Sequence, residues 1–117
     1  MAEVTIYHNP RCSKSRETLR LIRAAGVEPV VVEYLTNPPS VETLDVLCRG
    51  LGVEPVDLAR RRDPRFRELG LRTEDARSRE EWLQLLVDHP ALIERPIVVR
   101  GSRVVLGRPP ERVLDLL

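Results

Sequence analysis

Val4-Thr5-Ile6-Tyr7-His8-Asn9-Pro10-Arg11-Cys12-Ser13-Lys14-Ser15-Arg16 is the run on which the reading of this chain turns. Val4 to Tyr7 is β-branched and aromatic, the composition of a short strand, and Asn9-Pro10 punctuates it. Cys12 follows the break. From Ser13 onward Leu19, Ile22 and Ala25 recur at helical spacing, with Arg16, Arg20 and Arg23 on the opposite face and Gly26 as a stop. Val30-Val31-Val32-Glu33-Tyr34 then reads as a buried strand. Strand, helix and strand in this order predict a right-handed parallel βαβ unit with Cys12 at the strand-to-helix junction.

Beyond that unit, Asn37-Pro38-Pro39 closes the strand, and Ser40 suits the N-cap of a helix whose Val41, Leu44, Leu47 and Cys48 share a face. Pro55 fits the first turn of a short helix through Val56, Leu58 and Ala59. Ser78 with Glu81 matches a capping box ahead of Trp82, Leu85 and Leu86, and His89-Pro90 ends that helix. The stretch from about 40 to 92 is therefore expected to be a helical insertion. Ile97-Val98-Val99 and Arg103-Val104-Val105-Leu106, joined by Gly101-Ser102, predict an antiparallel hairpin. Val113, Leu114 and Leu117 suggest a short closing helix. The fold class read from this order is α/β: a thioredoxin-like fold with a mixed four-stranded sheet, βαβ then ββα, and an inserted helical subdomain. No linker or repeat stands out, so residues 1–117 are expected to form a single domain.

With 117 residues, 42% hydrophobic and 32% charged but 3% aromatic, the chain calls for an aliphatic core under a heavily charged surface. A formal net charge of +1 removes the broad positive field that direct nucleic-acid or anionic-membrane binding requires, so any anion site must be local. Lys14 is the only lysine; the remaining positive charge is arginine, whose planar fork suits carboxylates and oxyanions. Met1-Ala2-Glu3-Val4-Thr5 carries no leader-like pattern, and no apolar run reaches membrane-spanning length, so a cytoplasmic location is expected. Cys12 and Cys48 have neither the framework of a disulfide domain nor a metal-ligand spacing, even with His8 and His89 added, and no metal is expected.

A thiol attacks as its thiolate, and an ordinary cysteine is only about 3% ionised at pH 7. At the start of a helix, unpaired N–H groups and the positive end of the helix dipole face Cys12, and Arg11, Lys14 and Arg16 flank it. The same N–H groups cradle oxyanions, with Ser13 and Ser15 as further donors. Such polar neighbours would make a poor core, so Cys12 is expected to be exposed and reactive. Cys48, on an apolar helix face, is expected to be structural. His8 is either a strand-end residue or a participant in proton transfer or thiolate support. Arg60-Arg61-Arg62 reads by default as a solvated helix end. Arg95 and Arg108 each precede a proline at a loop border of the strand pair, where binding residues concentrate.

The run from Tyr7 to Arg16 resembles the glutaredoxin-linked arsenate reductase family, ArsC, and especially its YfgD-like branch. Tyr34-Leu35 with Pro38-Pro39, Glu68-Leu69-Gly70-Leu71, His89-Pro90, Glu94-Arg95-Pro96-Ile97-Val98-Val99 and Gly107-Arg108-Pro109-Pro110-Glu111 are similar to family landmarks in the same order. The resemblance covers nearly the whole chain. It implies a thioredoxin-like fold and Cys12 as nucleophile toward arsenate, with anion-binding arginines falling on Arg60, Arg95 and Arg108. It also implies His8 as the thiolate-supporting histidine and Pro96 as a cis proline shaping the loop that faces the thiol.

The motif here is Cys12-Ser13-Lys14-Ser15, without the second cysteine of a Cys-x-x-Cys oxidoreductase. The implied activity is arsenate reduction to arsenite through a cysteine–arsenic adduct, resolved by glutathione and glutaredoxin as external thiol partners, with no bound cofactor. A monomer is expected. Two alternatives stay open: a monothiol oxidoreductase acting on glutathione mixed disulfides, and an Spx-like redox sensor that binds RNA polymerase.

Overall fold

The computed structural model describes residues 3–117; Met1 and Ala2, the start of the stretch read above for a leader, lie outside the described residues. The chain divides into two compact units, one comprising Met1–Pro38 with Arg95–Leu117 and the other Pro39–Glu94.

The first unit is built on β1 (Val4–Tyr7), α1 (Ser13–Ala24), β2 (Val30–Val32), β3 (Ile97–Arg100) and β4 (Arg103–Leu106). The strands form one mixed sheet in the order β2-β1-β3-β4. β1 pairs parallel with β2, Ile6 opposite Val31, and antiparallel with β3, Ile6 opposite Val98. β3 and β4 form the expected hairpin, with Arg100 opposite Arg103 and Gly101 at φ +62° in the turn, a torsion that favours glycine. This is the anticipated thioredoxin-like arrangement. Strand periodicity sends Val4, Ile6 and then His8 inward, and all three are buried. Val4, Ile6 and Val98 meet Ile22 of α1 and Val113 and Leu116 of the C-terminal segment in an aliphatic core.

Three expectations need correction within this unit. β2 is an edge strand: Val30 and Val31 are 41% and 36% exposed, because β2 has a neighbour on one side. The buried face of α1 is Ser15, Thr18 and Ile22, while Ala25 is exposed; two hydroxyl residues occupy positions that an apolar count overlooks. The closing helix is a 3-10 segment, Pro110–Leu116, whose three-residue period buries Val113 and Leu116 and leaves Leu114 51% exposed.

The second unit holds α2 (Val41–Leu51), α3 (Pro64–Glu68), α4 (Arg79–Asp88) and 3-10 turns at Pro55–Leu58 and Pro90–Leu92. The predicted caps form: Ser40 accepts from the Thr43 N–H, and Ser78 and Glu81 close a reciprocal capping box. α2 and α4 pack on each other, burying Leu44, Leu47 and Cys48 of α2 and Leu83 and Leu86 of α4 in this unit, and Trp82 stacks with Phe66. Arg79 bridges Asp45 of α2 and Glu54 ahead of the first 3-10 turn. Among the described residues no helix is long and apolar enough to cross a membrane.

Candidate active site

Cys12 is the N-cap of α1, with extended torsions of φ −95° and ψ 122°. Its own N–H donates to the Asn9 carbonyl at 3.0 Å, and its carbonyl accepts from the Arg16 N–H at 3.0 Å, so the residue is fixed on both sides of the turn. The side chain of an N-cap projects over the unpaired N–H groups of the first helical turn. Burial pushes the thiol pKa up, but hydrogen bonding from the Ser15 N–H, the charge of Arg95, the Lys14 N–H and a side-chain hydrogen bond from Arg95 outweigh it, and the net shift is downward.

Two corrections follow. Cys12 retains 8% of its surface and is buried, not the exposed residue anticipated, because the sulfur is turned toward these donors. The cation acting on it is Arg95 from the distant loop; Arg11, Lys14 and Arg16, adjacent in sequence, point to solvent. Arg16 instead donates to the Pro10 carbonyl at 2.9 Å, bracing the turn.

Ser15 does two things at once. Its backbone N–H serves the thiol, and its fully buried hydroxyl accepts from the Asn9 N–H at 3.0 Å and lies 2.6 Å from His8 Nδ1. Since Asn9 already fills one acceptor site, the hydroxyl proton is free to be donated to Nδ1 of a neutral imidazole. The His8 pKa is lowered, chiefly by burial and then by Arg23 and Arg16, against an opposing pull from Glu33. A neutral ring is the matching partner for that hydroxyl. His8 is thus connected to the thiol through Ser15, a relationship that spacing along the chain gives no means of reading. A groove of about 620 Å³ along α1 reaches His8 on the side of Arg16 and Arg23, and Cys12 does not line it.

Arg95–Pro96 and Arg108–Pro109 are both cis peptides; the first was implied by the resemblance and the second was not foreseen. The two loops are tied together. Arg108 Nη1 donates to the Arg95 carbonyl at 3.2 Å, and the Gly107 N–H donates to the Pro96 carbonyl at 2.9 Å. Nε and Nη1 of Arg95 are shielded from solvent. The first unit therefore brings together Cys12, His8, Ser15, Arg95, Pro96 and Arg108.

Arg60 belongs to the second unit. It follows the bridge between Ala59 and Ile93, where its N–H donates to the Leu92 carbonyl at 2.7 Å. Its guanidinium pairs with Asp63 at 3.0 Å and Glu94 at 3.4 Å and reaches the Ala91 carbonyl, so it is an anchored residue and not a solvated helix end. Arg61 and Arg62 are exposed. Cys48 is fully buried in the same unit, and burial pushes its thiol up to about 11. Among the described residues no cluster of three or more His, Cys, Asp or Glu could hold a metal ion.

Comparison with known proteins gives a consistent result. The chain is 47% identical over 116 residues to the YfgD protein of Escherichia coli K12, covering 98% of this chain and 97% of that one. It is 49% identical over 114 residues to an arsenate reductase of Rhizobium meliloti 1021, covering 97% of this chain and 81% of that one. An arsenate reductase structure from Vibrio cholerae superposes with a TM-score of 0.93 at 44% identity, covering 99% of this chain and 98% of the other. The family model for ArsC matches residues 7–116, a span that takes in the thiol and both Arg–Pro loops, and the chain belongs to the ArsC family.

Proposed function

We propose that this protein is an arsenate reductase in which the Cys12 thiolate attacks arsenate, displacing an oxygen as water and forming a cysteine–arsenic adduct. The observation that carries the reading is the seat of Cys12 at the N-cap of α1, where the Ser15 N–H, the Arg95 charge and the Lys14 N–H favour a lowered thiol pKa. Donors that stabilise a thiolate are equally suited to the charge of a bound oxyanion, which is the electrostatic requirement of this step. Arg95 and Arg108 hold the substrate oxygens in this scheme. His8 and Ser15 keep the first turn of α1 oriented.

Cys12 has no neighbouring cysteine in its motif, so the two electrons come from external thiols. Glutathione takes over the adduct and glutaredoxin removes the resulting mixed disulfide. Across the cycle, arsenate and two thiols give arsenite, one disulfide and water.

The test is arsenate-dependent NADPH consumption in the presence of glutathione, glutathione reductase and glutaredoxin, comparing wild type with Cys12→Ser. Wild type should turn over and the variant should not. Equal rates would reject Cys12 as the nucleophile, and a wild type that reduces a glutathionylated peptide readily while leaving arsenate untouched would reject arsenate as the substrate.

A further inference from the structure

Gly107 is buried, and its backbone lies in the ordinary torsional region, so conformation alone does not call for glycine there. Space does. A Cβ at this position would stand 2.6 Å from Thr18 Oγ1, 3.2 Å from Thr18 Cγ2 and 2.8 Å from Pro96 Cγ, all inside the roughly 3.5–4.0 Å optimum for non-bonded heavy atoms. Neither neighbour is the free end of a flexible chain. Thr18 is fully buried and its hydroxyl donates to the Lys14 carbonyl at 2.8 Å, while Pro96 Cγ belongs to a ring whose carbonyl is held by the Gly107 N–H.

Gly107 thus sits where α1 touches the Arg95–Pro96 loop. These two elements supply different halves of the thiolate's support: α1 gives the N–H groups of Lys14 and Ser15, and the loop gives Arg95. The residue next to Gly107, Arg108, also braces the loop through the Arg95 carbonyl. We propose that Gly107 is a positioning residue for the nucleophile, its missing side chain letting α1 and the Arg95–Pro96 loop approach closely enough to act on the same sulfur. A side chain there forces them apart and lowers the thiolate fraction without touching the substrate. The inference rests on Cys12 as the nucleophile and is independent of which oxidised substrate it attacks.

The experiment titrates the thiol of Gly107→Ala by its absorbance near 240 nm and by iodoacetamide alkylation against pH, with Cys48→Ala as background so that one thiol is observed. Cys12 should titrate at higher pH than in the parent. Alkylation measured well below the parent's pKa should slow by roughly tenfold for each unit by which the pKa rises. Should Gly107→Ala fail to fold, Thr18→Val probes the same contact from the α1 side, placing a bulkier methyl where the hydroxyl approaches Gly107. Its thiol should move in the same direction. A folded Gly107→Ala, or failing that a folded Thr18→Val, whose thiol titrates and alkylates as the parent does overturns the proposal. That result leaves the arsenate assay of the wild type unaffected, so the two claims fail separately.

Discussion

At the scale of single residues, the lowered pKa of Cys12 couples the proposed nucleophile to the stability of the fold. In the unfolded chain the thiol returns to an ordinary value near 8.5. Between the folded pKa and about 8.5 the unfolded state binds more protons, so stability rises with pH across that window. Below the folded pKa the contribution vanishes, since both states then carry the neutral thiol. His8, also lowered in the fold, adds a rise of the same sign that ends near pH 6.5. Urea denaturation at a series of pH values, thiols kept reduced, should therefore show wild type gaining stability relative to Cys12→Ser as pH climbs toward 8.5. The His8 contribution, common to both proteins, drops out of the difference. Parallel curves for the two proteins would contradict a folded thiolate. The position of Cys12 was legible because strand, break and helix are local signals. The identity of its cation was not, since Arg95 comes from the far end of the chain and sequence proximity pointed to Arg11, Lys14 and Arg16. The burial of Thr18, and of Ser15, which the sequence offers as a hydroxyl donor to an anion, is not legible for another reason: these residues are buried by hydrogen bonding and close contact, and a search for apolar periodicity passes over hydroxyls.

Among the elements, the strands show where composition stops being informative. Val30-Val31-Val32 has the same apolar character as a central strand, yet it lies at the sheet edge, because strand order depends on which segments pair and not on their hydrophobicity alone. Ile6, in the central β1, is fully buried between Val31 and Val98 in register, whereas Val31 is 36% exposed. The two positions should respond very differently to substitution. Ile6→Ala opens a cavity in the core beneath α1 and should cost about 2–5 kcal/mol. Val31→Lys places a charge on an exposed edge and should change stability by no more than about 0.5 kcal/mol. Urea unfolding midpoints would decide this, and a Val31→Lys variant as damaged as the Ile6→Ala variant would mean that β2 is covered in solution. The helix caps at Ser40 and Ser78, by contrast, form where the sequence places them, because a cap is written in residues three apart and needs no tertiary context.

For the molecule as a whole, the two cysteines belong to different compact units and to opposite electrostatic regimes. Cys12 meets donors that favour its anion, while Cys48 sits among Leu44 and Leu47 with a thiol raised to about 11. At neutral pH the second thiol is almost wholly protonated and sealed from solvent, so it is a poor candidate to attack an adduct or a mixed disulfide on Cys12. In the proposed cycle the closing thiol is therefore an outside one. Cys48→Ala should accordingly retain arsenate turnover within about twofold of wild type under the coupled glutathione and glutaredoxin assay. The sulfur it removes fills core space, so a modest loss of stability is the expected consequence. Neither protein should turn over when the external thiols are withheld. If Cys48→Ala instead lost turnover while its fold and its Cys12 titration stayed intact, Cys48 would have to open to solvent during the cycle and serve as the resolving thiol.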